Sequence, residues 1–205
     1  MPISTKTVSD ACQSWLKTSE RNELERSTLK AYRSHVNIHI DPRIGHLLLE
    51  ALSRSDVRDF MYDMLDDGVS RAHVKKVMVS LRSILSEAVD REWITHNVAL
   101  DVKLRRKSRT AEDEKIIPTK DEIRLIIENA PASHRAMFIT AIFTGMRISE
   151  LRGLTWDCVY FDRRVIKVSK RADEFGAMGA PKSRAGLRDI PMAPIVHQTL
   201  SAWRS

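Results

Sequence analysis

Over the first hundred residues the apolar positions recur at intervals of three and four, in four separate blocks. That is the period of a helix with one buried face. Val8, Ala11, Cys12 and Trp15 form the first block. Thr7-Val8-Ser9-Asp10 opens it as an approximate capping box, with Asp10 in the place of the usual Glu. Leu29, Tyr32, Val36 and Ile40 form the second block, after Ser27. It is expected to end at Asp41-Pro42, because a proline ring disfavours helical geometry in the residue before it. Val57, Phe60, Met61 and Met64 form the third, opened by Ser53 and closed by Gly68. The fourth runs from about Ser70 to Glu92, with Val74, Val77, Leu81, Ile84, Leu85 and Ala88 on its apolar face. Four such helices with short links predict a small helical bundle.

The pattern changes after residue 100. Residues 103–115 have no apolar periodicity and no aromatic side chain, which predicts an exposed linker over 101–118. Thr119-Lys120-Asp121-Glu122 is a second capping box, with acids where the helix dipole favours them. Ile123, Ile126, Ile127 and Ala130 are expected to be the buried face of that helix, and Ala136 to Phe143 a helix inside the core. Gly145 then stops the helix, and a short one reopens with Arg147, Glu150 and Leu151, whose Leu151 and Leu154 return to the core. Beyond Trp156 the signal is extended: Val165–Val168 and Leu187–Pro191 read as strands, separated by a loop holding Gly176 and Gly179. The expectation is a mainly α chain with a small β-hairpin or sheet. Its parts are a helical domain over 1–100, a basic linker over 101–118 and a second domain over 119–205.

Composition narrows the class. A hydrophobic fraction of 42% supports ordinary cores, and no apolar run approaches the roughly 20 residues that a bilayer span requires. The start, Met1-Pro2-Ile3-Ser4-Thr5-Lys6, lacks the apolar stretch of an export signal. Cys12 and Cys158 are too few and too far apart for a disulfide framework or a cysteine zinc site, so reduced thiols in a cytoplasmic setting are expected. The net charge of +7 is uneven: residues 1–100 balance to zero, with 14 basic and 14 acidic side chains. Residues 119–205 hold 14 basic against 9 acidic. A basic second half favours a polyanionic partner.

The polar helix faces carry the same suggestion. Arg26, Lys30, Arg33 and Asn37 share one face of the second helix, and Arg71, Lys75 and Arg82, with Lys76 beside them, share one face of the fourth. A solvated face is the ordinary meaning of such stripes. His35 and His39 stand four apart, but no glutamate follows the first, so the metalloprotease pattern fails and surface histidines are expected. Arg147 and Glu150 are spaced so that the carboxylate can hold the guanidinium in one direction, which suits a phosphate oxygen.

The run Thr144-Gly145-Met146-Arg147-Ile148-Ser149-Glu150-Leu151-Arg152-Gly153-Leu154 resembles the first active-site arginine box of the tyrosine recombinases, the phage integrase family. The resemblance extends over nearly the whole chain. It implies a four-helix, SAM-like core-binding domain followed by the N-terminal part of an α+β catalytic domain. It also implies double-stranded DNA as partner, at attachment-type sites, with self-association on that DNA. Arg147 and Glu150 would be catalytic, with Lys182, in Pro181-Lys182-Ser183, as the lysine of the family's hairpin; Lys170 and Arg171 are its competitors. The helical stripes, and Arg105, Arg106 and Lys107 of the linker, would contact DNA.

In the family a tyrosine attacks a phosphorus, forms a 3′-phosphotyrosyl link and expels a 5′-hydroxyl, without metal or other cofactor. Fixed arginines would stabilise the charge that builds on the phosphate oxygens. The hairpin lysine would protonate the leaving oxygen. A His-x-x-Arg box and a late tyrosine complete that machinery. Here His197 is followed by Gln198, Thr199 and Leu200, and the three tyrosines, Tyr32, Tyr62 and Tyr160, come too early. The expectation is a truncated integrase, also without the arm-binding module that many members carry ahead of this point, and inactive in strand cleavage by itself. The alternative is a non-catalytic DNA-binding or regulatory protein that reuses the fold.

Overall fold

The computed structural model describes residues 5–105, 116–181 and 183–204, and the chain divides into two compact units, residues 1–109 and 110–205. In the first unit α1 spans Val8–Arg21, α4 spans Arg54–Asp66 and α5 spans Arg71–Asp90. Capping boxes start α1 and α4: Asp10 and Asp56 each accept from the backbone and hydroxyl of the cap residue, Thr7 and Ser53. Gly68, at φ 80°, turns the chain after α4.

The second helix does not stop at Pro42. It begins as α2, Arg26–Ser34, passes through a π-helical stretch, His35–Ile40, and continues as α3, Asp41–Ile44. The amide of Asp41 donates to the carbonyl of Val36, a five-residue step. Pro42 has no amide hydrogen, so it leaves the preceding turn short of a donor. The Arg43 guanidinium supplies one instead, donating to the carbonyls of Ile38 at 3.1 Å and His39 at 3.3 Å. That substitution is why the expected end at Asp41-Pro42 is overrun.

Phe60, Met61, Met64, Met78, Leu81, Ile84 and Leu85 lie fully buried between these helices. Each such side chain contributes about 1.5–3 kcal/mol by leaving water. Burial also pushes the Cys12 thiol up to about 12. The segment after α5 belongs to the same unit, since Ala99 and Val102 are buried in its core. Arg82 fastens that segment, donating to the carbonyls of Ala99 at 3.0 Å and Val102 at 2.6 Å.

His35 and His39 are buried, contrary to the surface position expected of them. The π-helical stretch places both beside Val36 and Ile40 on the face turned toward α5. There His35 Nδ1 lies 2.8 Å from Ser80 Oγ, and the Nε2 atoms of His39 and His73 are 3.2 Å apart. Burial, then the neighbouring charges of His73, Lys76 and Arg43, hold His35 and His39 below the ordinary imidazole range. Their neutral forms are the ones the fold accepts, so the unfolded chain binds more protons. Stability is therefore complete above the unfolded value of about 6.5 and declines as pH falls below it. Thermal melts between pH 7.5 and 5.5 should show the helical unit losing several degrees. The loss should be smaller in a His35→Gln/His39→Gln variant; an equal slope would assign the pH dependence elsewhere.

In the second unit α6 spans Lys120–Asn129, α7 Ala132–Thr144, α8 Ile148–Arg152 and α9 Pro194–Arg204. Strands β1, Val159–Tyr160, β2, Val165–Val168, and β5, Arg188–Pro191, form an antiparallel sheet in the order β1-β2-β5, with Ile166 opposite Ile190. A separate hairpin pairs β3, Arg171–Ala172, with β4, Met178–Gly179. Ile139, Met146, Ile166, Val168, Val196 and Leu200 make the core.

The expected buried face of α6 is only partly covered: Ala130 is buried and Ile123 and Ile127 are half-buried, but Ile126 is 45% exposed. Among the described residues α6 meets the core through Ile127, while Leu125 is 56% exposed. Phe143, expected inside, is also exposed, because α7 buries only the stripe of Ala136, Ile139 and Thr140.

Candidate functional site

The second unit brings Arg147, Glu150 and Arg188 together. Gly145, at φ 62°, ends α7 in a left-handed turn that an L side chain resists. Met146 is buried and anchors the turn, so α8 restarts in a fixed place. Arg147 is the cap of α8, with an extended backbone, and Glu150 is its third residue. The expected pairing therefore forms as a helix cap, whereas the spacing alone suggested two side chains on one helical face.

Glu150 is 3% exposed. Its Oε2 accepts from the Arg147 amide at 2.9 Å, and its Oε1 accepts from Arg147 Nη1 at 2.9 Å. Arg188, on β5, closes on the same carboxylate with both arms, Nη2 to Oε2 at 2.8 Å and Nη1 to Oε1 at 3.1 Å. Four donors fill the acceptor capacity of a carboxylate. Hydrogen bonds from Arg188 first, and then from the Arg147 backbone and side chain, hold the Glu150 carboxyl at about 2. It is an anion at any physiological pH. The side chain of Arg147 stays 71% exposed, while that of Arg188 is 31% exposed.

Arg188 escaped the sequence reading. It stands 38 residues from its partner, and a basic residue in an exposed strand is an ordinary feature. The available signal was a strand signature, Leu187-Arg188-Asp189-Ile190-Pro191, that carries a cation toward the arginine box.

Lys170 and Arg171 are engaged elsewhere. Lys170 Nζ lies 2.8 Å from Asp157 Oδ2, and Arg171 Nε donates to the Ala180 carbonyl at 2.9 Å, across the β3–β4 hairpin. Hydrogen bonds from Lys170 and Thr155 hold the Asp157 carboxyl at about 2. Lys182, Arg106 and Lys107 lie outside the described residues. The hairpin packs against the arginine helix where Gly153 leaves room. A Cβ there would stand 2.5 Å from Arg171 Cα and 2.6 Å from its carbonyl carbon.

In the first unit Lys75, Lys76, Arg26 and Lys30 are exposed on their helices. Arg33 pairs with Glu20 at 2.7 Å, and Arg71 donates to the carbonyl of Arg105. Arg82 departs from the expected stripe, because Nε and Nη2 are spent on backbone carbonyls within its own unit. Among the described residues no cluster of three His, Cys, Asp or Glu side chains is placed to hold a metal ion, and no helix is long and apolar enough to cross a membrane.

Residues 7–65 match the phage integrase N-terminal SAM-like domain, and residues 115–198 match the phage integrase family. The chain belongs to the phage integrase family, the tyrosine recombinases. A XerC-like tyrosine recombinase of Caldanaerobacter subterraneus is 23% identical over 203 residues, covering 91% of this chain and 52% of the relative. The prophage integrase IntR of Escherichia coli is 22% identical over 200 residues, covering 91% of this chain and 48% of its own. The chain thus spans about half the length of the curated relatives it matches. The fold is that of a Tn1549 transposon integrase solved in complex with a circular intermediate DNA, with a TM-score of 0.79 at 24% identity over 97% of this chain and 65% of the other.

Proposed function

We propose that this chain is a DNA-binding part of a cytoplasmic site-specific tyrosine recombinase, and that Arg147 receives the phosphate at which strand exchange occurs. The exposed Arg147 guanidinium, tethered to a buried carboxylate, carries the reading. Its direction is set before any ligand arrives, so charge on a phosphate oxygen meets a cation that need not reorganise. Glu150 orients that cation, and Lys182 remains the residue proposed to protonate the leaving oxygen. Exposed Lys75 and Lys76, with Arg26, Lys30 and Arg33, supply phosphate contacts that place the protein on the duplex without reading its sequence. Arg82 is left out of that surface. Partnership with duplex DNA, and self-association upon it, agree with relatives named as recombinases and integrases.

These 205 residues bind DNA without cutting it on this reading. Tyr32 packs on Trp15 with ring centroids 4.3 Å apart, Tyr62 sits on α4 of the helical unit, and Tyr160 lies on β1 beside Arg163. None follows a His-x-x-Arg box, and groups that act as a unit lose nearly all effect when one is missing.

The experiment is duplex binding measured by fluorescence anisotropy at several salt concentrations. Affinity should fall steeply with salt. Lys75→Ala and Lys76→Ala should each weaken binding to every sequence and flatten the slope by about 0.9, the counterion released per phosphate on B-DNA. A slope that neither change alters would remove these lysines from the interface. A nicked duplex incubated with the same protein should give no adduct that survives denaturation; an adduct would reveal a nucleophile among the three tyrosines.

A further inference from the structure

The group around Glu150 has a charge count that a simple arginine–glutamate pair would not have. Alone, Arg147 and Glu150 would neutralise each other, and a cation whose charge is cancelled a few ångströms away has little pull on an incoming anion. Arg188 changes the sum. It takes both oxygens of Glu150 in a two-armed grip at 2.8 and 3.1 Å, while Arg147 gives the carboxylate a single side-chain donor at 2.9 Å. Three groups therefore carry one net positive charge. The more exposed of the two guanidiniums is that of Arg147.

We propose that Arg188 is a positioning residue of the phosphate site: by compensating Glu150, it leaves the charge of Arg147 available to the phosphate. Glu150 can then serve as a fixed tether for Arg147 without extinguishing it. This rests on the reading of Arg147 as the phosphate receiver. The placement of Arg188 supports the division of labour. Its backbone pairs with Val168 in the sheet, and its Nη1 also donates to the Gly186 carbonyl at 3.3 Å, so its position is set by the strand independently of any ligand.

The test uses the 205-residue chain, inorganic phosphate as probe and the NMR signal of the Arg147 guanidinium Nε–H as reporter. Phosphate should shift that signal in the unaltered protein. Arg188→Met makes the group neutral and should weaken phosphate binding roughly tenfold. Arg188→Met/Glu150→Gln restores the single positive charge and should return the affinity to within about twofold of the starting value. Arg188→Lys keeps the charge without the two-armed grip and should stay close to the unaltered protein.

A merely structural Arg188 would give the opposite order, with the double variant no better than Arg188→Met. If Arg188→Met does not fold, the double variant, which buries no uncompensated carboxylate, is compared with Glu150→Gln. Glu150→Gln should bind phosphate more tightly and the double variant should match the unaltered protein; the reverse order refutes the proposal. Phosphate binding that Arg188→Met leaves unchanged overturns the role of Arg188 alone. Absence of any phosphate effect on Arg147 in the unaltered chain overturns the phosphate-site reading itself, and the proposal with it.

Discussion

Glu150→Ala should cost the second unit about 3 kcal/mol, the low end of what breaking a buried ion pair costs. The low end applies because the guanidiniums left behind reach water, with side chains 71% and 31% exposed. Against a domain stability of about 5–15 kcal/mol, that is a large share. Thermal melts followed by circular dichroism should show the transition of the second unit moving down by many degrees while the helical unit stays in place. The same carboxylate imposes an acid limit. Its value of about 2 lies below that of an unfolded glutamate, so its contribution is complete above about pH 4.5. The contribution is lost as pH falls from there toward 2. In Glu150→Ala that part of the acid profile should be shallower, with the remaining slope due to other depressed carboxylates such as Asp157. A melt unchanged by the substitution would mean that the four hydrogen bonds hold nothing together.

Gly153→Val should have the next largest effect, and by a different route. The added carbons would meet backbone, at Arg171 and at the Ala172 amide, and backbone held in a hairpin cannot turn aside as a side chain can. Overpacking of this kind costs about 1–3 kcal/mol. Amide signals across Arg171–Gly179 and at Arg147 should shift together, because α8 and the hairpin share this contact. Gly179→Ala is the control: among the described residues no atom lies within 4 Å of a Cβ there, and the melt should not move. Equal effects from the two changes would show that the close approach is not what positions the hairpin.

The features legible in the sequence were those set by near neighbours. Thr7 with Asp10, and Thr119 with Glu122, announce helix starts over three residues, Ser53 announces a third, and all three caps form. Arg147 and Glu150 were legible for the same reason. Pro42 misled because the donor that replaces its missing hydrogen belongs to the side chain of Arg43, outside any backbone rule. The burial of His35 and His39 depends on Ser80 and His73, on another helix, and periodicity cannot report such partners. Arg188 is hidden by the same kind of distance. The β3–β4 hairpin did leave a local trace. Asp173 Oδ1 accepts from the amides of Phe175 and Ala177, both at 2.8 Å, and Gly176 follows at φ 80°. Asp-Glu-Phe-Gly was thus a turn signal inside a segment read as a loop.

The π-helical stretch through His35–Ile40 sets an angular phase along the second helix. Each residue of an α-helix advances the chain by about 100°, and a turn closed over five residues takes up one residue more than a regular turn does. Shortening the stretch by one residue would swing everything ahead of it around the axis relative to Ile40 and Ile44. Arg26, Lys30 and Arg33 all lie ahead of it. The compass direction in which this helix shows its cations is therefore written into a few backbone hydrogen bonds further along the rod. A lineage that gained or lost a single residue there would carry the same basic stripe to a different side of the bundle.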